Sequence, residues 1–121
     1  MTFIEDLRTE ERAGPFWEPC ANLIQCASVL YRRGKAPTDR YEFTIGFGQA
    51  MFLWNMLQAM PIATNEKVLV DADTWKPLDG VHRACVMLVL GMPVPAWLVT
   101  RPKHGGRLTF DGMWKWEVEE V

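Results

Sequence analysis

The apolar positions of this chain follow two periods, and the clearest segment runs from Ala84 to Leu90, where every residue is apolar. Such a run is long for a strand. Gly91 offers a left-handed stop and Pro93 cannot continue a helix, so the pattern predicts a buried helix ending at Gly91. A helix that is apolar all round lies inside the protein. Its polar beginning, Asp79-Gly80-Val81-His82-Arg83, must therefore emerge where charge is tolerated.

The remaining segments are placed by the same reasoning. Glu18 to Arg33 reads as a helix: Pro19 suits a first turn, Leu23, Ala27 and Leu30 share a face, Arg32 and Arg33 suit the C-terminal dipole, and Gly34 ends it. Tyr41, Phe43, Ile45 and Phe47 alternate with other residues, which predicts a strand over 41–47. Gln49 to Met60 reads as a second helix, closed by Pro61. Pro61-Ile62-Ala63 is a short strand candidate, and Val68-Leu69-Val70 is a better one. The latter is followed by the polar turn Asp71-Ala72-Asp73-Thr74 and a second hairpin arm that ends at the Asp79-Gly80 turn. Val94 to Val99 reads as a strand whose Pro95 puts it at a sheet edge or at a strand start. Asp111-Gly112 between Leu108-Thr109-Phe110 and Met113-Trp114-Lys115-Trp116 carries the signature of a two-residue hairpin. Residues 1–15, charged and ending at Gly14-Pro15, fit a short helix or a loose arm equally well. The sum is a mixed α+β domain.

Composition changes this picture little. At 121 residues the chain suits one domain with a single core, and 49% hydrophobic with 23% charged residues is ordinary for a soluble globular protein. The net charge of −2 gives no global argument for nucleic-acid binding. Basic residues do gather locally, at Arg32, Arg33, Lys35 and Arg40 and again at Lys103, His104 and Arg107, which leaves room for contact with nucleic acid through those loops. Three cysteines without a CxxC pair suggest free thiols in a reducing compartment, and two histidines without ligand spacing argue against a zinc site. Neither a signal peptide nor a membrane span is visible in the pattern, so the expected location is the cytoplasm.

The candidate chemistry lies at Asp79–Arg83. Free backbone N–H groups at a helix N-terminus, a glycine allowing close approach and an adjacent arginine make an anion site. Arg83 could clamp a phosphate or pair with Asp71 or Asp73 across the hairpin. His82 could donate to a phosphate oxygen, shuttle a proton, or pack on Trp75. Asp79 could accept from a ligand hydroxyl, or cap the helix by accepting from the N–H of Val81 or His82. Asp71 and Asp73 could hold Mg²⁺ beside a triphosphate, or merely build a turn.

A strand, an Asp-Gly-x-His-Arg turn, a helix ending in glycine and a further apolar strand, spanning about Ile62 to Val99, resemble the ParB/sulfiredoxin-like superfamily. Asp79, Gly80, His82 and Arg83 match its signature position by position. The resemblance implies a small mixed sheet with packed helices over 41–100; the N-terminal helical extension over 1–40 has no counterpart in the family, and a basic loop with a C-terminal hairpin over 101–121 completes a single domain. It also implies binding of a nucleotide, such as a triphosphate with Mg²⁺, or of a phosphorylated small molecule at the helix start. Asp79, Gly80, His82, Arg83, Asp71 and Asp73 would line that site. If the site is catalytic, the implied chemistry is phosphoryl transfer or phosphodiester hydrolysis, with Arg83 stabilising charge and His82 as proton donor. Sulfiredoxins have a cysteine where Val81 stands, so a thiolate nucleophile is absent here. The partition proteins of the family carry a helix-turn-helix region after this domain, for which the chain has no counterpart. ParB-like serine kinases use an upstream glutamate as base, for which Glu18, Glu42 and Glu66 are candidates. The alternative is a non-catalytic protein- or DNA-interaction module, for example of phage or mobile-element origin, that keeps the fold without the chemistry.

Overall fold

The computed structural model describes residues 2–59 and 68–100, together with the backbone of 107–108 and 114–115. In chain order its elements are β1 (Thr2–Ile4), α1 (Gly14–Trp17), α2 (Ala21–Arg33), α3 (Phe47–Ala59), β2 (Val68–Asp71), β3 (Pro77–Asp79), α4 (Val81–Val89), β4 (Ala96–Val99), β5 (Arg107–Leu108) and β6 (Trp114–Lys115). Short 3-10 turns at Leu7–Thr9, Glu11–Ala13 and Glu18–Cys20 link the N-terminal elements. The architecture is mixed α+β, as the hydrophobic pattern predicts.

A four-stranded sheet in the order β1-β4-β2-β3 carries the domain. Its centre is a parallel pair, with Val68 opposite Ala96 and Asp71 opposite Val99. β3 folds back antiparallel on β2, with a register irregularity between Leu69 and Val70, and β1 runs antiparallel to β4. β4 starts directly after Pro95 and has a neighbour on each side. Of the two positions open to a proline, the strand start is the one occupied, since the ring has no N–H to give the ladder. α2, α3 and α4 pack on one another, and α4 also touches β2. Phe16, Leu30, Leu53, Val70, Cys85, Val86 and Ala96 are each 0% exposed and form the centre of the core.

The two long glycine-terminated helices end as expected. Gly34 sits at φ 67° after α2 and donates to Leu30 C=O over 2.9 Å. After α4, Gly91 at φ 71° donates to Leu88 C=O and Met92 donates to Met87 C=O, the paired bonds of a Schellman stop. The helix expected from residue 18 begins as a 3-10 turn and becomes α2 at Ala21.

Two expectations need correction. Residues 41–45 form turns and bends in place of a strand. Asp39 Oδ1 accepts from Tyr41 N–H, Glu42 accepts from Thr38 N–H and pairs with Arg33, and Gly46 takes φ 91° to enter α3. These local bonds satisfy the backbone and the carboxylates of the loop. The alternating aromatics are therefore spent differently: Tyr41 is 84% exposed, while Phe43 lies under the Arg33 guanidinium, 5.6 Å from it. The N-terminal residues, read as helix or arm, instead open with a strand that completes the sheet. Leu7 N–H donates to Val94 C=O (2.9 Å), Val94 N–H donates to Asp6 Oδ1 (3.1 Å), and Arg8 Nη1 donates to Gly91 C=O (3.0 Å). The segment is thereby latched to the loop that follows α4. β5 and β6 pair antiparallel, as the C-terminal hairpin requires. Its Asp111-Gly112 turn, the 61–63 strand candidate and the basic loop at 101–106 lie outside the described residues.

Candidate functional site

The first turn of α4 is built from backbone geometry. Gly80 occupies the N-cap in the left-handed region (φ 81°, ψ 20°), and among the described residues no side chain caps the helix. The first intrahelical bond runs from Ala84 N–H to Gly80 C=O (2.9 Å), so the amides of the turn before it point out of the helix end. A left-handed N-cap is cheap only for glycine, which accounts for Gly80. It also displaces Asp79 from the capping position. Asp79 is expected to accept from Val81 or His82, but its Oδ1 accepts instead from the adjacent Gly80 N–H at 2.8 Å. The chain turns at Gly80, which leaves the carboxylate one residue short of a cap. Asp79 is exposed, and its second oxygen carries no bond to the α4 amides.

His82 is half-buried. Its Nε2 lies 3.1 Å from Gln49 Oε1, and its ring meets Phe52 edge-on with centroids 5.1 Å apart. Gln49 Nε2 in turn donates to Ile45 C=O over 3.2 Å. Burial pushes the imidazole below its ordinary pKa. His82 therefore packs on Phe52 of α3, where the sequence offers Trp75 as its apolar neighbour. Arg83 follows it in the same turn, half-buried. Neither Gln49 nor Phe52 carries a motif signal. They reach the site because α3 and α4 pack together.

Asp71 and Asp73 stand elsewhere. Asp71 N–H bonds to Lys76 C=O at the turn end of the hairpin, whereas Asp79 pairs with Leu69 towards its other end. Three strand residues at about 3.3 Å each separate the two ends by about 10 Å of backbone. Asp71 is buried, and its Oδ1 accepts from Asp73 N–H (2.8 Å) and Thr74 N–H (3.3 Å), the bonds that shape the turn. Trp75 closes that turn at φ 60°, an uncommon conformation for an aromatic residue. The six expected site residues thus divide into Asp79, Gly80, His82 and Arg83 at the start of α4, and Asp71 with Asp73 at the hairpin turn.

The upstream glutamates are distributed as well. Glu42 is held down to a pKa of about 2, first by its bond to Arg33 and then by the Thr38 amide, so it serves the 38–46 loop. Glu18 is exposed in the 3-10 turn before α2, and Glu66 lies outside the described residues. Arg33 is engaged with Glu42, Ala36 C=O and Lys35 C=O, which withdraws it from the basic cluster seen in the sequence. A cavity of about 320 Å³ lies between α2 and this loop, lined by Cys26, Phe43 and Ile45 among others. Burial raises the Cys26 thiol to about 11, and Cys20, Cys26 and Cys85 are all buried and free. The neighbouring Cys20 sulfur, with burial, pushes the Cys85 thiol up. Among the described residues no three His, Cys, Asp or Glu side chains group to hold a metal, and no helix is long and apolar enough to cross a membrane.

Comparison with known proteins adds no relative: no family model, no curated protein and no solved structure matches the chain.

Proposed function

We propose that this chain is a ParB/sulfiredoxin-like domain that binds a nucleotide or another phosphorylated small molecule at the start of α4. The observation that carries the reading is the helix beginning at Gly80, without a side-chain cap among the described residues and with His82 and Arg83 in its first turn. Backbone amides at such an end favour an anion through both hydrogen bonds and the helix dipole. The surrounding layout supports it: an antiparallel hairpin enters the turn, the helix follows, and β4 returns parallel to β2.

In this reading the amides of the α4 turn hold the phosphate, and Arg83 adds a charged, bidentate contact. Gly80 contributes the absence of a side chain where the phosphate approaches. Mg²⁺ suits the site as the ion that a triphosphate brings, because magnesium is usually held by one or two carboxylates and by phosphate oxygens. Asp79, exposed beside the turn, is the carboxylate best placed to share it. When bound, the ion supplies charge neutralisation on the phosphates. Any catalysis here would be phosphoryl transfer or phosphodiester hydrolysis.

Thermal unfolding with and without nucleoside triphosphate and Mg²⁺ tests the proposal. A ligand at one hundred times its dissociation constant stabilises by about 2.7 kcal/mol, a readily measured rise in Tm. The wild type is expected to show this rise, and Arg83→Ala to lose most of it. No rise with any nucleotide or with inorganic phosphate defeats the reading and favours a non-catalytic interaction module.

A further inference from the structure

We propose that Gln49 is a positioning residue that fixes the proton of His82 on Nε2 and leaves Nδ1 with the lone pair of a general base. The assignment follows from what each group can do. Ile45 C=O can only accept, so the Gln49 amide group facing it at 3.2 Å is the NH₂. That orientation turns Oε1 towards His82, 3.1 Å from Nε2. An amide oxygen also can only accept, so Nε2 carries the hydrogen. In the neutral ring the other nitrogen, Nδ1, then holds a lone pair. Burial favours that neutral form, since it penalises the imidazolium. Phe52, set edge-on against the ring at 5.1 Å, holds its plane.

The consequence reverses the role given to His82 by the motif. A nitrogen with a lone pair takes a proton and does not supply one. The chemistry suited to the site is base-assisted attack on a phosphoryl group, and this part rests on the phosphate-binding reading above. As a hydroxyl or water oxygen forms its bond to phosphorus, its proton passes to Nδ1. The bond from phosphorus to the leaving phosphate breaks, and the leaving oxygen keeps the electron pair. No sequence spacing announces Gln49, because the chain separation between it and His82 is closed only by α3–α4 packing.

The ring nitrogens of His82 can be read directly by ¹⁵N–¹H correlation spectra of the full chain at pH 8, where an ordinary imidazole is neutral (pKa about 6.5). Two histidines in the chain keep the spectrum simple, and His104→Gln identifies the His82 signals. The wild type is expected to show the Nε2–H pattern throughout. Gln49→Met removes the acceptor and should give a mixture of tautomers. Gln49→Glu restores an acceptor oxygen and should return the ring to Nε2–H. A wild-type ring protonated on Nδ1, or identical tautomer ratios in wild type and Gln49→Met, overturns the proposal. Backbone amide spectra confirm that each variant is folded before its ring signals are compared. The readout needs no ligand, so its failure is separate from a failure of nucleotide to raise the Tm.

Discussion

α2 and α4 both end at a left-handed glycine, yet they begin in opposite ways. The start of α2 is closed. α1 and a 3-10 turn run directly into it, Glu18 N–H donates to Gly14 C=O, and Ala21 N–H donates to Glu18 C=O. The thiol of Cys20 also donates back to Phe16 C=O at 3.1 Å, and Phe16 and Cys20 are fully buried. These three donors are consumed by the chain itself. α4 begins instead from a single glycine after a hairpin, without a side-chain cap among the described residues, and with titratable residues in its first turn. The chain stabilises one helix start with its own groups and leaves the other without such a preceding turn. The difference lies in what precedes the helix and not in the helix.

The largest test of this contrast is Phe16→Ala. Phe16 is 0% exposed, so the substitution should cost about 3–5 kcal/mol in urea unfolding and show that the N-terminal segment belongs to the core. A loss below about 1 kcal/mol would mean that the segment is an appendage. Next is Gly80→Ala, which forces a side chain into the left-handed N-cap and should cost about 1–2 kcal/mol. The matching change at the closed start, Gly14→Ala, should have the opposite sign. Gly14 is already right-handed (φ −49°, ψ −51°), and an added Cβ would meet nothing within 4 Å. A gain of about 0.4–1 kcal/mol is expected there.

Asp6→Asn probes the latch between the N-terminus and the loop after α4: it keeps a capping oxygen but removes the charge facing Arg8, and should cost up to about 1 kcal/mol. It also predicts a pH dependence. The Arg8 side chain, followed by the Val94 and Arg8 amides, holds Asp6 at a pKa of about 2 against an ordinary 3.8. A depressed carboxylate gives stability that is present above its unfolded pKa and is lost as pH falls through the folded one. The wild-type advantage over Asp6→Asn should therefore be full above about pH 4 and fade towards pH 2. Denaturation curves of the two proteins across that range measure it. An advantage independent of pH would remove Asp6 from the latch.

These regions were not equally visible in the sequence. α4 was legible because a continuous apolar run, Gly91 and Pro93 all point the same way, and the Asp79-Gly80 turn marks its start. Gly34 and the two arginines before it likewise announced the end of α2. β1 was not legible, since Thr2-Phe3-Ile4 is too short for a period and acquires its meaning only from pairing with β4. The alternation from Tyr41 to Phe47 misled because side-chain bonds from Asp39 and Glu42 favour turns over a ladder. Asp79, Gly80, His82 and Arg83 are adjacent in the sequence, so their common place at the start of α4 could be read from it. That of Gln49 and Phe52 could not, because only tertiary packing brings them to His82. Asp71 and Asp73 were drawn in by their chemistry, while the hairpin register sets them at its far end.

The central claim is that the open start of α4 takes a phosphate. Its most direct measurement is a titration of the ¹⁵N-labelled chain with nucleoside triphosphate and Mg²⁺, following the backbone amides of Gly80 to Arg83. The account predicts saturable shifts centred on those amides, with the amides at the closed start of α2 unmoved. Shifts that never saturate, or that fall elsewhere and leave Gly80 to Arg83 unmoved, would contradict it.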